Sequence, residues 1–223
     1  MDGLLINTED LYTLVTNEVL AEYGKGPLLW DVKIQLQGLP GHQAAQKILD
    51  HFQLPLTLEE FDEKVLALQN IKWPTCSFLP GALDLIRYLH SKNVPIALCT
   101  SSTKFKFEGK TGHLKKGFNL FDIIITGDDS RIPHGRGKPF PDIWQLGLKE
   151  LNSKFSTNIQ PEECLIFEDG LPGVAAAKSA GAYVVWVPHP DAYEVLGDTK
   201  AVLDGNGEVL SSLTHLDKAK FGL

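Results

Sequence analysis

Apolar positions between residues 8 and 79 follow a helical pattern only. Thr8-Glu9-Asp10 is typical of a helix N-cap, and the apolar residues after it recur every three or four positions. Gly24 and Gly26-Pro27 end this helix. The other elements predicted in this part of the chain are helices at residues 43–52 and 57–72 and a turn at residues 38–41.

From Pro80 the pattern changes to short β-rich runs that alternate with helices. Strands are predicted at residues 95–99, 123–126, 164–167 and 183–187, and more weakly at 201–203. Helices are predicted between them at residues 82–91, 142–151 and 173–180. Strands separated by helices imply an α/β fold with a parallel sheet covered on both faces. In such sheets the ligand lies at the carboxyl ends of the strands.

Composition narrows the class of protein. A chain of 223 residues suits one α/β domain with a small insert, and no apolar run approaches a membrane helix or a signal peptide. The net charge of −7 argues against a nucleic-acid surface. The three cysteines, Cys76, Cys99 and Cys164, are interpreted as reduced core thiols of an intracellular protein. We expect a monomer in the cytoplasm, with the nucleus as an alternative, and no membrane or nucleic-acid partner.

Polar residues follow two of the predicted strands. Thr100-Ser101-Ser102 comes directly after residues 95–99, where hydroxyl and backbone N–H groups suit a phosphate oxygen, although such a run is more often an ordinary helix N-cap. Lys138 ends a basic loop after the second strand and precedes prolines that fix the backbone. A lysine held there can neutralise a phosphate or a carboxylate. From this segment alone, a solvated loop lysine is the preferred interpretation.

Carboxylates follow a third strand. Glu168 and Asp169 stand directly after the apolar run at residues 164–167, where adjacent carboxylates are costly without a cation. Such oxygen ligands suit Mg²⁺, which commonly takes one or two carboxylates, waters and substrate phosphate. The alternative is a helix N-cap aspartate. With Asp2 near the start, an acid, a hydroxyl, a lysine and a carboxylate pair occur in order, the last three after successive strands.

This order resembles the four motifs of the haloacid-dehalogenase superfamily. The family's first motif, Asp-x-Asp-Gly, is matched by residues 1–9 from its middle residue onward. Thr100 matches the second motif, Lys138 the third and Glu168-Asp169 the fourth. The resemblance implies a Rossmann-like parallel-sheet core at residues 1–9 and 80–223, with a helical cap inserted at residues 10–79.

The cap resembles the small helical cap of the β-phosphoglucomutase-like branch. Within that branch the chain is similar to eukaryotic pseudouridine-5′-phosphatase-like proteins. The segments that carry this finer resemblance are residues 97–102, 127–139 and 221–223.

The resemblance implies a Mg²⁺-dependent phosphomonoester hydrolase that forms an aspartyl-phosphate. Asp2 would be the general acid for the leaving alkoxide and then the base for water, and its backbone carbonyl would ligate the metal. Charge stabilisation and alignment would do most of the work. The residues implied to hold phosphoryl oxygens are Thr100, Ser101 and Lys138. The metal ligands implied are the Asp2 carbonyl, Asp169 and Glu168, the last either as a ligand or beside it.

The nucleophile of the family's first motif stands two residues before its second aspartate, and no residue of this chain does so relative to Asp2. We therefore expect that the natural protein extends upstream and that this chain lacks the first core strand and the nucleophilic aspartate. On that expectation the chain as given is inactive. Met1 is the only methionine, so a misassigned start would fall there.

Two alternatives stay open. A sugar-phosphate mutase of the same branch would share all four motifs and differ in the chemistry of its cap. A catalytically inactive phosphometabolite-binding protein would keep the site without turnover. The substrate is left open among nucleoside, sugar and polyol phosphates. Five cations could contact it, although solvated surface charge is the preferred interpretation for most: Lys33, Lys47, Lys64, His134 and Arg136.

Overall fold

The computed structural model describes residues 1–37, 39 and 41–223. The predicted turn at residues 38–41 includes Gly38 and Pro40, which lie outside the described residues. The first part of the chain is helical, as its pattern predicts. Its helices are α1 (Thr8–Glu22), α2 (Trp30–Lys33), α3 (Gly41–Phe52) and α4 (Leu58–Lys72), followed by a 3₁₀ turn at Trp73–Thr75.

The second part alternates strands and helices. Its elements up to the third strand are α5 (Ala82–Ser91), β1 (Ala97–Cys99), α6 (Lys104–Thr111), α7 (Lys115–Phe118), β2 (Ile123–Ile125), α8 (Asp142–Phe155) and β3 (Leu165–Glu168). The remaining elements are α9 (Leu171–Ser179), β4 (Tyr183–Trp186), α10 (Tyr193–Leu196), α11 (Thr199–Leu203) and β5 (Gly207–Val209). Short 3₁₀ turns lie at Pro161–Glu163, Pro190–Ala192, Leu213–His215 and Ala219–Phe221.

Local hydrogen bonds explain where several helices begin. Thr57 and Glu60 form a reciprocal capping box at the start of α4, which satisfies two otherwise free backbone N–H groups. The predicted N-cap at Thr8 is wrong by one residue: α1 begins at Thr8, and Asn7 holds the cap position without a side-chain bond. The Thr8 hydroxyl instead donates to Asp2 at 2.7 Å. A residue that sequence pattern assigns to capping thus contributes to the polar cluster around Asp2.

The weak strand prediction at residues 201–203 is wrong. These residues belong to α11, because the Asp198 side chain accepts from the backbone N–H groups of Lys200 and Ala201 and so caps a helix. The fifth strand, β5, comes a few residues later. There Gly207 lies against the Val184 carbonyl, which leaves no room for a β-carbon, so that β5 can pair with β4.

The strands β1 to β5 of the described residues pair only in parallel, which confirms the predicted α/β class. β1 pairs with β2, with Ala97 opposite Ile123, and β3–β4–β5 form a second group in which Leu165 lies opposite Tyr183. Helix α8 packs on β1 and β2, and α9 packs on β3 and β4. Apolar side chains between these layers form the core of this part of the chain, and Val174, Val184 and Trp186 in it are fully buried.

Helices α1, α3 and α4 enclose an apolar core of their own. Its buried members come from residues 19–61, and Val19, Leu20 and Phe61 are at most 2% exposed. The chain enters and leaves this helical unit at one place, since Ile6 pairs with Phe78 and the Asn7 backbone donates to the Ser77 carbonyl. This geometry agrees with a helical insert, and the division at residues 10–79 remains a prediction.

A cavity of about 520 Å³ separates the two strand groups. In the part of the chain that the structure describes, β1 pairs only with β2, and β3 pairs only with its other neighbour β4. Every residue of 94–99 and of 162–168 therefore lines the cavity. The rest of its wall is largely apolar and includes Met1, Leu4, Leu5, Leu85 and Ile86. Two strand edges with free backbone groups thus flank an apolar cleft.

No helix among the described residues is both long and apolar enough to cross a bilayer. The three cysteines are free; Cys76 and Cys99 are buried, whereas Cys164 is partly exposed, so the prediction that Cys164 is a buried strand residue is wrong. Cys164 stands one residue before β3, at a strand end that solvent reaches. Burial raises the pKa of Cys99 to about 12, so its thiol is protonated and unreactive near neutral pH.

Candidate active site

The four sequence segments meet at the carboxyl ends of β1 and β3. Ser102, in the loop after β1, donates from Oγ to Asp2 Oδ2 at 2.9 Å. Lys138 Nζ, in the loop after β2, lies 2.5 Å from Glu168 Oε1 at the end of β3. Gly3 packs so closely on Asp169 that a β-carbon at Gly3 would lie 2.6 Å from Asp169 Oδ2. The structure therefore brings the first, second, third and fourth segments to one edge.

Asp2 lies at the centre of a partly buried polar cluster. Lys110 on α6 is completely buried, and its Nζ lies 2.6 Å from Asp2 Oδ1, 2.9 Å from the Tyr12 hydroxyl and 2.6 Å from Ser102 Oγ. Thr8 and Tyr12 both donate to Asp2 Oδ1, at 2.7 and 3.4 Å. A lysine ammonium has three donor positions, and all of them find acceptors here. The cluster fixes the Asp2 carboxylate between α1, α6 and the loop after β1.

This cluster keeps Asp2 ionised. Burial alone would raise the pKa of Asp2, but the charge and hydrogen bond of Lys110, together with the chain's N-terminal ammonium, hold that pKa well below its ordinary value. The same surroundings raise the pKa of Tyr12, first through burial and then through the charge of Asp2. Asp2 is thus a carboxylate in this arrangement, and it can take up a proton only if its contact with Lys110 loosens.

Lys138 and Glu168 form a second buried ion pair. Their side chains are 8% and 6% exposed, and Lys138 Nζ also donates to the Cys99 carbonyl at 3.3 Å. The ammonium lies over the ring of Trp144, 4.5 Å from its centroid. Gly173 in α9 makes room for the carboxylate, because a β-carbon there would lie 2.2 Å from Glu168 Cδ. Lys138 therefore links β1, β3 and α8 at the sheet edge.

Asp169 is the carboxylate that lacks a cation. Burial and then the charge of Glu168 raise the pKa of Asp169. Among the described residues its carboxylate has no hydrogen-bond donor, whereas the two oxygens of Glu168 are engaged by Lys138 and by the Asp169 backbone N–H. A partly buried carboxylate in this position fits a divalent cation. The donor set suits Mg²⁺ with Asp169 as ligand and Glu168 behind it, and the Asp2 carbonyl accepts no hydrogen bond in the described part of the chain.

The two hydroxyl residues of the second segment are placed differently. Thr100 is 3% exposed, its backbone N–H continues the pairing with β2 through the Ile125 carbonyl, and its Oγ1 accepts from the Ser102 N–H at 3.2 Å. Ser101 is exposed and its backbone packs on Gly127, where a β-carbon would lie 2.3 Å from the Ser101 carbonyl oxygen. Thr100 and Ser101 stay predictions as phosphate-binding residues, and the loop that carries them lies beside Asp2.

Sequence reasoning missed four members of the site. Lys110 is one of five lysines between residues 104 and 116, and nothing in its spacing separates it from the exposed ones. Thr8 and Tyr12 look like ordinary helix residues at positions i and i+4, although that spacing does place both on one face of α1. Ser102 was part of the hydroxyl run, with no role assigned. Only the fold brings α6 and α1 together around Asp2.

Comparison with known proteins agrees with this geometry. A model of the haloacid dehalogenase-like hydrolase family matches residues 1–181, and the chain belongs to that family. It is 67% identical over 223 residues to a probable pseudouridine-5′-phosphatase of Saccharomyces cerevisiae, covering 100% of this chain and 94% of the relative. It is 34% identical over 227 residues to a mitochondrial (DL)-glycerol-3-phosphatase of Arabidopsis thaliana, covering 100% of this chain and 72% of the relative.

A solved structure gives the fold-level likeness. The crystal structure of β-phosphoglucomutase from Clostridium difficile has a TM-score of 0.73 with this chain at 21% identity, and the match covers 99% of this chain and 94% of the other. At this identity the likeness shows the fold alone. The α/β family fold and its β-phosphoglucomutase-like architecture are therefore confirmed.

The expectation of an N-terminal truncation receives no support from these matches. The family model begins at residue 1, and the relatives named above match the whole chain. The comparisons therefore give no evidence that a first core strand or a nucleophile has been lost from the chain. The relatives do support a phosphatase that acts on a small phosphorylated metabolite.

Proposed function

We propose that this site catalyses Mg²⁺-dependent hydrolysis of a small phosphomonoester. The observation that carries the proposal is the meeting of Lys138, Glu168, Asp169 and Asp2 at the carboxyl edge of the sheet. A lysine fixed by a buried carboxylate, next to a second carboxylate that needs a cation, suits the binding of a phosphoryl group and its metal. Lys138 and the bound cation would together neutralise the charge of the substrate.

Each side chain has a separate part in this proposal. Asp169 and the Asp2 carbonyl hold Mg²⁺, which supplies charge neutralisation for the phosphoryl oxygens when it is bound. Lys138 and Thr100, with Ser101 beside them, hold those oxygens, and Glu168 keeps Lys138 in position. Asp2 gives a proton to the leaving alkoxide and later takes one from water. Proton uptake by Asp2 requires its contact with Lys110 to open.

Asp2 does not attack phosphorus in this arrangement, because Lys110, Ser102 and Thr8 occupy the oxygens of its carboxylate. Its part in the proposal is therefore limited to proton transfer and to the metal contact of its backbone carbonyl.

The substrate class follows from the relatives and stays a proposal. The Saccharomyces cerevisiae relative is named for a phosphorylated nucleoside, and the Arabidopsis thaliana relative for glycerol 3-phosphate. Both names describe small hydroxylated alcohols esterified with phosphate. A sugar-phosphate mutase is the second candidate, supported by fold likeness alone. Release of phosphate without a sugar-bisphosphate activator separates the phosphatase from the mutase, and a binding protein would show neither reaction.

Replacing Asp169 with Asn tests the metal site. We expect the variant to bind Mg²⁺ at least about tenfold more weakly, because the amide lacks the charge that a hard cation requires. Calorimetric titration with MgCl₂, followed by titration with inorganic phosphate, measures this change. Asp62→Asn on exposed α4 is the matched control and should leave both affinities unchanged. Equal Mg²⁺ affinity in the Asp169 variant and the unmodified chain would remove Asp169 from the metal site.

A further inference from the structure

One helical face closes over the site. Trp30, Lys33 and Gln37 are spaced three and four residues apart on α2 and the turn after it, and backbone bonds from Ile34 and Gln37 continue the helical path. Side chains at this spacing point to one side. This face, defined here as the α2 face, is directed toward the sheet edge.

Two of its three residues have partners that hold it in place. The Trp30 ring stacks on His189 after β4, with centroids 4.6 Å apart and planes 24° from parallel. Lys33 is 4% exposed, and its Nζ reaches the Glu9 carbonyl at 2.9 Å and Thr13 Oγ1 at 2.7 Å. Lys33 is therefore not a solvated surface charge, the interpretation preferred for most of the five candidate cations, because it anchors the α2 face to the start of α1.

The third residue has no such partner. Gln37 is 8% exposed, and its Nε2 is buried without a hydrogen-bond partner among the described residues. Its Cβ lies 3.9 Å from the position of a β-carbon built on Gly170, the residue after Asp169. A buried amide donor with nothing to bind destabilises the closed position of the α2 face. Since Trp30 and Lys33 already hold that face, Gln37 is not needed for its docking.

We propose that Gln37 recognises the leaving group of the substrate. Its amide nitrogen donates to a hydroxyl or carbonyl oxygen on the alcohol that the phosphoryl group esterifies, and this bond satisfies the buried donor. The proposal rests on the proposed function, since it takes the phosphoryl group to lie at Lys138 and Asp169. Gln37 is thus a specificity residue for oxygen-bearing alcohols, such as polyols and sugars, and against plain alkyl esters.

Equilibrium binding to the unmodified chain and to Gln37→Leu, in the presence of Mg²⁺, tests this proposal. The probes are inorganic phosphate, n-propyl phosphate, glycerol 3-phosphate and ribose 5-phosphate. We expect the unmodified chain to bind at least one hydroxylated ester about three- to tenfold more tightly than the propyl ester, because one additional hydrogen bond raises affinity by about this factor. In Gln37→Leu this preference disappears and the phosphate affinity stays the same.

Gln35→Leu is the matched control, because Gln35 is an exposed glutamine of the same turn. It should keep the preference. A Gln37→Leu variant that keeps the preference, or that loses affinity for phosphate and all esters by one factor, would overturn the assignment. If inorganic phosphate does not bind the unmodified chain with Mg²⁺, the proposed function itself fails, and this result is distinct from a change in preference.

Discussion

Lys110→Met should lower the free energy of unfolding by about 3 kcal/mol, the lower end of the cost of breaking a buried ion pair, because the Asp2 side chain left without its partner is 19% exposed. Lys110 is completely buried, and its ammonium is the cation nearest to Asp2 Oδ1, at 2.6 Å. Methionine keeps most of the side-chain volume but removes the charge, so the loss reports on the ion pair more than on packing. Urea unfolding at neutral pH measures the change.

The pH dependence of this loss identifies its cause. The pKa of Asp2 is depressed in the folded chain, so its contribution to stability is present above the ordinary carboxyl pKa of 3.8 and is lost as pH falls below that value. The difference between the unmodified chain and Lys110→Met should therefore shrink in acid. Lys116→Met removes an exposed lysine and should change stability by no more than about 0.5 kcal/mol. A loss that is independent of pH would attribute the effect to packing.

Lys138→Met should lower stability by about 3–5 kcal/mol, because the Glu168 carboxylate, whose side chain is 6% exposed, would lose its cationic partner. It should also weaken the binding of inorganic phosphate by at least about tenfold, since a charge-assisted hydrogen bond to the anion is lost. Unfolding in urea and calorimetric titration with phosphate measure the two effects on one variant.

A double-mutant cycle with Glu168→Gln separates the two roles of Lys138. The pair Lys138→Met and Glu168→Gln should recover part of the lost stability, because no charge is left unpaired, while phosphate binding stays weak. Lys149→Met, an exposed lysine of α8, is the control and should alter neither quantity. Additive losses in the cycle would contradict the buried pair, and normal phosphate affinity in Lys138→Met would contradict its role at the phosphoryl group.

Much of the fold was predictable because local pattern and tertiary packing agree. The helical pattern of the first part and the alternation after Pro80 predicted the longer helices of both parts and the strands β1 to β4, and α5 lies at the predicted residues 82–91. The short helices α2, α6, α7 and α10 and the strand β5 were not predicted. The prediction and the structure differ where a side-chain hydrogen bond determines the local backbone conformation. Asp198 turns residues 199–203 into a helix, and Thr8 donates to Asp2 and is not the N-cap of α1.

The sequence predicts the candidate-site residues that follow the strands, but it does not predict the residues that pack around them. Asp2, Lys138 and Asp169 follow from their order along the chain and from the rule that parallel strands present their carboxyl ends together. Lys110 and Gln37 come from elements packed over that edge, and no local pattern marks which face of α6 or of the α2 turn is buried. Their contribution depends on long-range contacts, such as the 108 positions that separate Lys110 from Asp2.

The most direct test of the central claim is whether Mg²⁺ and a phosphoryl group bind at the same site, beside Asp169 and Lys138. Inorganic phosphate is titrated into the unmodified chain with and without Mg²⁺, and into Asp169→Asn with Mg²⁺. We predict that Mg²⁺ raises the phosphate affinity of the unmodified chain at least about tenfold, because the cation neutralises the phosphoryl oxygens, and that Asp169→Asn loses this gain. Equal phosphate affinity with and without Mg²⁺, or the full gain in Asp169→Asn, would contradict the account.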